Sequence, residues 1–370
     1  MSIIVIASHA TFINGKIYEA PATTVLEILK KLGEEFIFIR HSIDGNLRST
    51  VYEYTSNLKI KKQNLVVVSK VSILRYLSEI ISTIIYFIAK NKKDYIYIGL
   101  DPLNALTGVL LKKLGYFKKV IYYTADYSPK RFESKILNKI YLSIDGYCVR
   151  NSDAVWNVSN RICKVRETMG LEDAKNIFVP NIPSQDYRGH SKSIRHKFTL
   201  VSLGVVGDQL DYIGIFEAVS LLKSKYPKLV IKIIGNGPKE DGYKEYVKQK
   251  DLQKHVQFLG YLEHPKALEE ISKSGVGLAL YNGNWNFNYY GDSMKCREFF
   301  CYGLPVITTD THSTVEEIVE HNAGVVCDQS PKSYVKALDT IFQNYDEYSK
   351  RSYEIAKKHE NIHFELITNL

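Results

Sequence analysis

The stretch YYGDSMKCREFFCYGLPVITTD, residues 289–310, holds a helix start, a helix stop and a buried strand. Asp292 or Ser293 suits an N-cap, Gly303 the left-handed position past a helix end and Pro305 the stop beyond it. MKCREFFCY therefore reads as a short helix followed by a strand over 306–308. Lys295 falls in the first helical turn. A cation there opposes the positive end of the helix dipole by roughly 0.3–1 kcal/mol unless an anion shares the site. A diphosphate is such an anion. Glu298 follows three residues on, on the same face, where its carboxylate can accept hydrogen bonds from two ribose hydroxyls. The competing reading is a plain surface pair between Lys295 and Glu298, which is the weaker geometry because Lys precedes Glu.

Outward from this segment the chain repeats strand then helix. Runs at 3–7, 36–40, 65–69, 95–98, 120–123, 154–158 and 177–179 are short and β-branched or aromatic, with longer helical patterns between them. The second half restarts the pattern at 199–203, 230–234, 256–258, 276–279, 306–308 and 324–326. Between the halves, IPSQDYRGHSKSIRHK (182–197) is polar and lacks apolar periodicity. The reading is α/β, with two Rossmann-like parallel-sheet domains facing across a cleft. The first spans 1–182, a linker 183–197 and the second 198–344. A C-terminal helical segment, 345–370, packs back on the first domain.

Composition narrows the classes. With 370 residues, 45% of them apolar and 24% charged, disorder and fibrous repeats are excluded. The run 71–89 (VSILRYLSEIISTIIYFIA) is interrupted by Arg75 and Glu79 and reads as a buried or interfacial helix rather than a span. The start MSIIVIASH carries no basic leader, so a cytoplasmic location, peripheral at the membrane, is expected. Five scattered cysteines form no CxxC or Cys/His cluster, which argues against disulfides and structural zinc. The charge is uneven: residues 1–185 hold 26 Lys and Arg against 16 Asp and Glu, the remainder 23 against 24. The first half is thus +10 and the second −1. An anionic partner for the first half, a phospholipid surface or a lipid phosphate carrier, is expected; a solubilising surface is the alternative. No nucleic-acid motif accompanies the charge.

In open parallel sheets ligands gather beyond the carboxyl ends of the strands. After the first strand, SHATFINGKIYEAP lacks the GxGxxG dinucleotide fingerprint, although Asn14 and Gly15 allow a loop to approach an acceptor closely. The strand at 230–234 runs into GNGPKEDG, where Gly235 and Gly237 permit close backbone approach to a phosphate or base. Tyr261, after the next strand, offers a ring for stacking. Turn chemistry and an ordinary rim tyrosine explain these residues as well.

KCREFFCYGLPVITTD resembles the donor-binding signature of the glycogen-synthase-like, group 1 glycosyltransferases. VSLGVVGDQLDYIGIFEAVSLLKSKYPKLVIKIIGNGP, VQFLGYLEHPKALEEISKSGVGLALY and STVEEIVEHNAGVV follow the family's order and spacing. The resemblance implies a GT-B fold, with a first domain for the acceptor and a second for a nucleotide-diphosphate sugar, UDP- or GDP-linked. It implies that Glu298 binds ribose, that Lys295 with Arg297 holds the diphosphate, and that Gly235, Gly237 and Tyr261 meet the nucleotide. Ser313, Thr314 and Glu317 would form the loop near the sugar or phosphates. Asp126, in VIYYTADYSPKR, stands where relatives carry a catalytic-cleft histidine, flanked by Tyr123 and Tyr127 as acceptor contacts; a turn aspartate is the alternative. Two departures stand out. The basic residues that relatives place near Val205 and Ile213 are absent, and Tyr290 replaces the acidic residue eight before Glu298.

The expected activity is retaining hexose transfer from the nucleotide sugar to a glycan or lipid-linked acceptor, as in polysaccharide biosynthesis. No cofactor and no metal are expected, since no Asp-x-Asp triplet occurs. A non-catalytic nucleotide-sugar-binding subunit, or an epimerase or hydrolase of the same fold, are the rivals.

Overall fold

The computed structural model describes residues 2–13, 16–19, 21–67, 72–183, 195–283 and 289–370. The chain divides into two units, Met1–Pro180 with Ile362–Leu370, and Asn181–Asn361.

In the first unit the elements run β1 (Ile3–Ile13), β2 (Lys16–Tyr18), α1 (Ala22–Leu32), β3 (Phe36–Ser42), β4 (Thr50–Tyr54), β5 (Ile60–Asn64), α2 (Ser72–Lys90), β6 (Tyr95–Leu100), α3 (Pro102–Lys113), β7 (Phe117–Thr124), α4 (Lys135–Asn151), β8 (Ala154–Asn157), α5 (Asn160–Thr168) and β9 (Asn176–Phe178). The sheet order is β5-β4-β3-β1-β6-β7-β8-β9, with β2 paired to β1. The strands from β3 to β9 across β1 are parallel. Buried apolar side chains fill both faces of this parallel core, as in α/β sheets covered by helices.

One expectation fails here. The strand expected at 65–69 lies earlier, at β5, and β4 and β5 form an antiparallel hairpin on the edge of β3. Every residue of β5, IKKQN, is exposed. An edge strand that buries neither face gives no apolar run to read. Residues 68 and 69 lie outside the described residues.

In the second unit the order is β10 (His196–Leu203), α6 (Tyr212–Leu222), β11 (Val230–Ile234), α7 (Glu240–Gln249), β12 (Val256–Gly260), α8 (His264–Lys273), β13 (Ser274–Ala279), α9 (Met294–Cys301), β14 (Val306–Thr309), α10 (Thr314–Glu320), β15 (Gly324–Cys327), α11 (Pro331–Gln343) and α12 (Tyr345–Thr368). All six strands are parallel, in the order β12-β11-β10-β13-β14-β15. That is the doubly wound Rossmann order, third-second-first-fourth-fifth-sixth. It opens a crevice beyond the carboxyl ends of β10 and β13, where the winding direction reverses. Helix α12 begins in the second unit, and its last residues, from Ile362, belong to the first. There the His363 ring bonds the Pro180 carbonyl at 2.6 Å.

All five cysteines are free and buried. Cys148 and Cys163 belong to the first unit; Cys296, Cys301 and Cys327 belong to the second.

Candidate functional site

In the second unit the crevice between β10 and β13 is floored by glycine. Gly204, just past β10, has φ +129°, and Gly235, just past β11, has φ +123°. A Cβ on Gly235 would stand 2.0 Å from the Gly204 carbonyl oxygen, and one on Gly237 would stand 2.3 Å from that of Val206. The Gly235 N–H donates to the Gly260 carbonyl at 2.7 Å. The glycines at 235 and 237 thus serve contact between neighbouring strand-end loops, where the sequence reading assigned them to a ligand. Tyr261 follows Gly260 and is 63% exposed, so its ring is open to a stacking partner.

Helix α9 begins above this floor. Ser293 is its N-cap, accepting from the Cys296 N–H, and its hydroxyl also shares a 3.0 Å hydrogen bond with the Tyr281 hydroxyl. Lys295, in the first turn, is half-buried. Its ammonium lies 4.8 Å from the Tyr281 ring centre and would stand 2.9 Å from a Cβ on Gly204. Among the described residues no carboxylate pairs with it. Burial pushes it down to about 8, a shift that Cys296 and Glu298 only partly oppose. A cation at a helix N-terminus with no counter-ion and a depressed pKa is an arrangement that a bound anion would relieve. Glu298 does not pair with Lys295; it is buried and accepts from the His264 ring at 2.9 Å.

The neighbouring residues assigned to the donor have other work. Arg297 is buried, and all three guanidinium nitrogens are engaged: Nε and Nη2 with Asp292, Nη2 also with Glu317, and Nη1 with the His359 ring at 3.1 Å. Arg297, expected to share the phosphate charge, instead has an internal partner on each guanidinium nitrogen. Glu317 is bound on its other oxygen by His359 at 2.6 Å. Burial would raise this carboxyl, but Arg297 and His359 hold it at about 2, so it is an anion in an internal ion-pair cluster and not a sugar contact. Thr314 donates to Asp292 and accepts from the Ser293 N–H, both at 2.9 Å, and Ser313 is buried. Together these residues fix the angle at which α9 presents Lys295 and Glu298.

In the first unit, Asn14 and Gly15 lie outside the described residues. Tyr123 is fully buried and donates to the Val179 carbonyl at 3.0 Å; its placement as an acceptor contact is corrected, because it is a core residue of β7. Tyr127 lies under the buried Arg166 guanidinium at 5.1 Å. Asp126 is more than half exposed and ion-paired with Arg131.

The constellation that sequence reading missed sits where β1 and β6 adjoin. His9 Nδ1 contacts Asp101 at 2.7 Å, and Nε2 contacts Glu79 at 3.2 Å. Asp101 also caps α3, accepting from the Leu103 and Asn104 N–H groups, and holds φ +78°, an uncommon backbone state for a residue other than glycine. Glu79 is bonded by Ser49, which also contacts His41. Burial would lower His9, but the carboxylates of Asp101 and Glu79 outweigh it and raise His9 to about 10. Burial and the His9 charge push His41 down to about 4. His9 is therefore an imidazolium between two carboxylates. The groups come from residues 9, 79 and 101, so no local motif announces them.

Two Rossmann-like α/β units with parallel cores, together with a full-length likeness to solved structures, make this a chain of the GT-B fold. Residues 184–359 match the model of the family described as glycosyl transferases group 1. A curated Haemophilus influenzae protein described as an uncharacterized glycosyltransferase is 24% identical over 168 residues, a match that covers 42% of this chain and 42% of that relative. Among solved structures, Anabaena HepE in complex with UDP superposes with a TM-score of 0.68 at 11% identity, covering 100% of this chain and 99% of that one. The lipopolysaccharide outer core galactosyltransferase WaaB gives 0.69 at 14% identity with the same coverage. At such identities the likeness is one of fold.

Proposed function

We propose that this chain transfers a hexose from a nucleotide-diphosphate sugar to a glycan or lipid-linked acceptor. The observation that carries the reading is the unpaired, half-buried Lys295 ammonium in the first turn of α9. The diphosphate sits against Lys295 and the α9 N–H groups, Glu298 accepts from the ribose, and the Tyr261 ring stacks on the base. The family match over the second unit supports this, as do the structural relatives, one of them solved with UDP and another described as a galactosyltransferase.

Transfer develops positive charge on the sugar carbon and negative charge on the departing diphosphate. Lys295 and the helix dipole stabilise the latter without proton transfer and without metal. In this reading no cofactor takes part, and configuration is retained, as the resemblance to group 1 enzymes implies. The acceptor is held by the basic first unit at an anionic membrane surface.

A second reading, a nucleotide-sugar-binding subunit without turnover, is favoured by Val205 and Ile213. Both are exposed apolar residues at the places where the resemblance implies basic side chains for the phosphates. One experiment separates the two. The chain is titrated with UDP, GDP and ADP by calorimetry, and then incubated with the matching nucleotide sugars with and without acceptor lipid and EDTA. Nucleotide release that requires acceptor and survives EDTA supports transfer. Binding without release supports the subunit, and failure to bind any nucleotide sinks both.

A further inference from the structure

Helix α2 is apolar on both sides. Its inner face buries Phe87 and Tyr86 in the core of the first unit. Its outer face exposes Ile73, Leu74, Leu77, Ile81, Ile85 and Ile88, each at least 45% accessible. These residues recur at helical spacing over about 22 Å of helix, at 1.5 Å per residue. A soluble helix normally turns charge toward water, and a contiguous exposed apolar stripe of this length marks an interaction surface. Beside it, Val66 is 77% exposed and lines an apolar groove with Leu65, Ile81, Ile85 and Ala89.

Charge identifies the occupant. From residue 57 to residue 93 the sequence holds eight Lys and Arg and one acidic residue, Glu79. Glu79 is turned inward and buried at 2%. Lys59, Lys61, Lys62, Lys92 and Lys93 are all exposed, and so is Lys90, which pairs with Glu53. A second copy of the chain docked on this face would bring two such lysine sets together, whereas an anionic bilayer neutralises them. Among the described residues no helix is long and apolar enough to cross a membrane, so the geometry is that of a helix lying on the surface.

We propose that the outer face of α2, with the lysines on both flanks, is the surface by which the first unit lies on an anionic phospholipid bilayer. This deepens the peripheral part of the reading above, and it stands or falls separately from sugar transfer.

The test is flotation of the full chain with vesicles of phosphatidylcholine alone and of phosphatidylcholine mixed with phosphatidylglycerol. Wild type floats with the mixed vesicles and far less with the neutral ones, and salt weakens the difference. Combining Leu77→Ser, Ile81→Ser and Ile85→Ser lowers partitioning by about tenfold or more. Combining Lys59→Gln, Lys61→Gln and Lys62→Gln lowers it on the mixed vesicles only. Leu221→Ser, at an exposed apolar position of the second unit, changes nothing. Circular dichroism and UDP titration of each variant show that the fold and the donor site survive, so loss of vesicle binding is not loss of structure. The proposal is overturned if the serine variant floats like wild type. It is equally overturned if wild type ignores both vesicles and forms a dimer that the serine substitutions dissociate.

Discussion

The Lys295 ammonium rests 4.8 Å from the centre of the Tyr281 ring, above a glycine whose missing Cβ leaves it room. No carboxylate pairs with it among the described residues. The aromatic face offers a cation some attraction, but far less than a phosphate would. Lys295→Ala is therefore expected to weaken nucleotide diphosphate binding by about tenfold to a hundredfold, the range of a charged hydrogen bond at roughly 1.5–3 kcal/mol. Calorimetric titration checks this. Unchanged affinity removes Lys295 from the site.

Nucleotide binding by the same lysine is expected to depend on pH. Burial lowers Lys295 to about 8 from a model-compound value of 10.5, and a diphosphate binds only the protonated form well. Affinity should fall as pH rises through about 8, and binding at that pH should take up a proton, seen as a heat that varies with buffer ionisation enthalpy. The free protein shows the opposite sign: between about 8 and 10.5 the unfolded chain binds more protons than the folded one, so this group makes stability rise with pH. A pH-independent affinity between 7 and 9 (about one unit either side of the lysine value) would contradict the assignment.

His9→Ala is expected to destabilise the first unit by about 3 kcal/mol, because it leaves the Glu79 and Asp101 carboxylates close together without their cation. His9 is raised to about 10 from 6.5. Its contribution is fully present below about 6.5 and is lost as pH rises toward about 10. The gap in melting temperature between wild type and His9→Ala should therefore narrow across that window. A gap that stays constant from pH 6 to pH 10, roughly the window set by the two histidine values, argues against the imidazolium.

Glu317→Gln is expected to cost about 2 kcal/mol, because the buried Arg297 loses the charge of one of its two carboxylate partners and keeps Asp292, while UDP affinity of the folded protein stays within about twofold. Glu317 is held at about 2 against 4.5. Its contribution is present above about 4.5 and lost as pH falls toward about 2, so the variant should show a shallower acid limb in its stability profile. A large loss of nucleotide affinity with normal stability would return Glu317 to the ligand.

The alternation of apolar strands and helices in both halves was legible because parallel strands buried on two faces are continuous apolar runs. The β4–β5 hairpin was not, since β5 buries nothing. In the second unit, Ser293, Gly303 and Pro305 gave the limits of α9, and with them the position of Lys295. The internal partners of Arg297 and Glu317 were not legible, because proximity in sequence to Lys295 says nothing of which way a buried guanidinium turns, and His359 lies 62 residues from Arg297. Gly235 was read as a place where backbone comes close to a ligand, and the structure shows the Gly204 carbonyl oxygen close beside it. The His9 cluster draws on three distant segments, so only the fold assembles it.

The distribution of thiols gives the molecule internal reporters. Burial lifts Cys163 to about 11, Cys296 to about 12 and Cys327 to about 11, and raises Cys148 as well. At neutral pH almost no thiolate exists while the chain stays folded. A disulfide reagent will therefore titrate opening events rather than surface sites. With two sulfurs in one unit and three in the other, mass spectrometry of the labelled peptides can clock each unit's unfolding without an engineered probe.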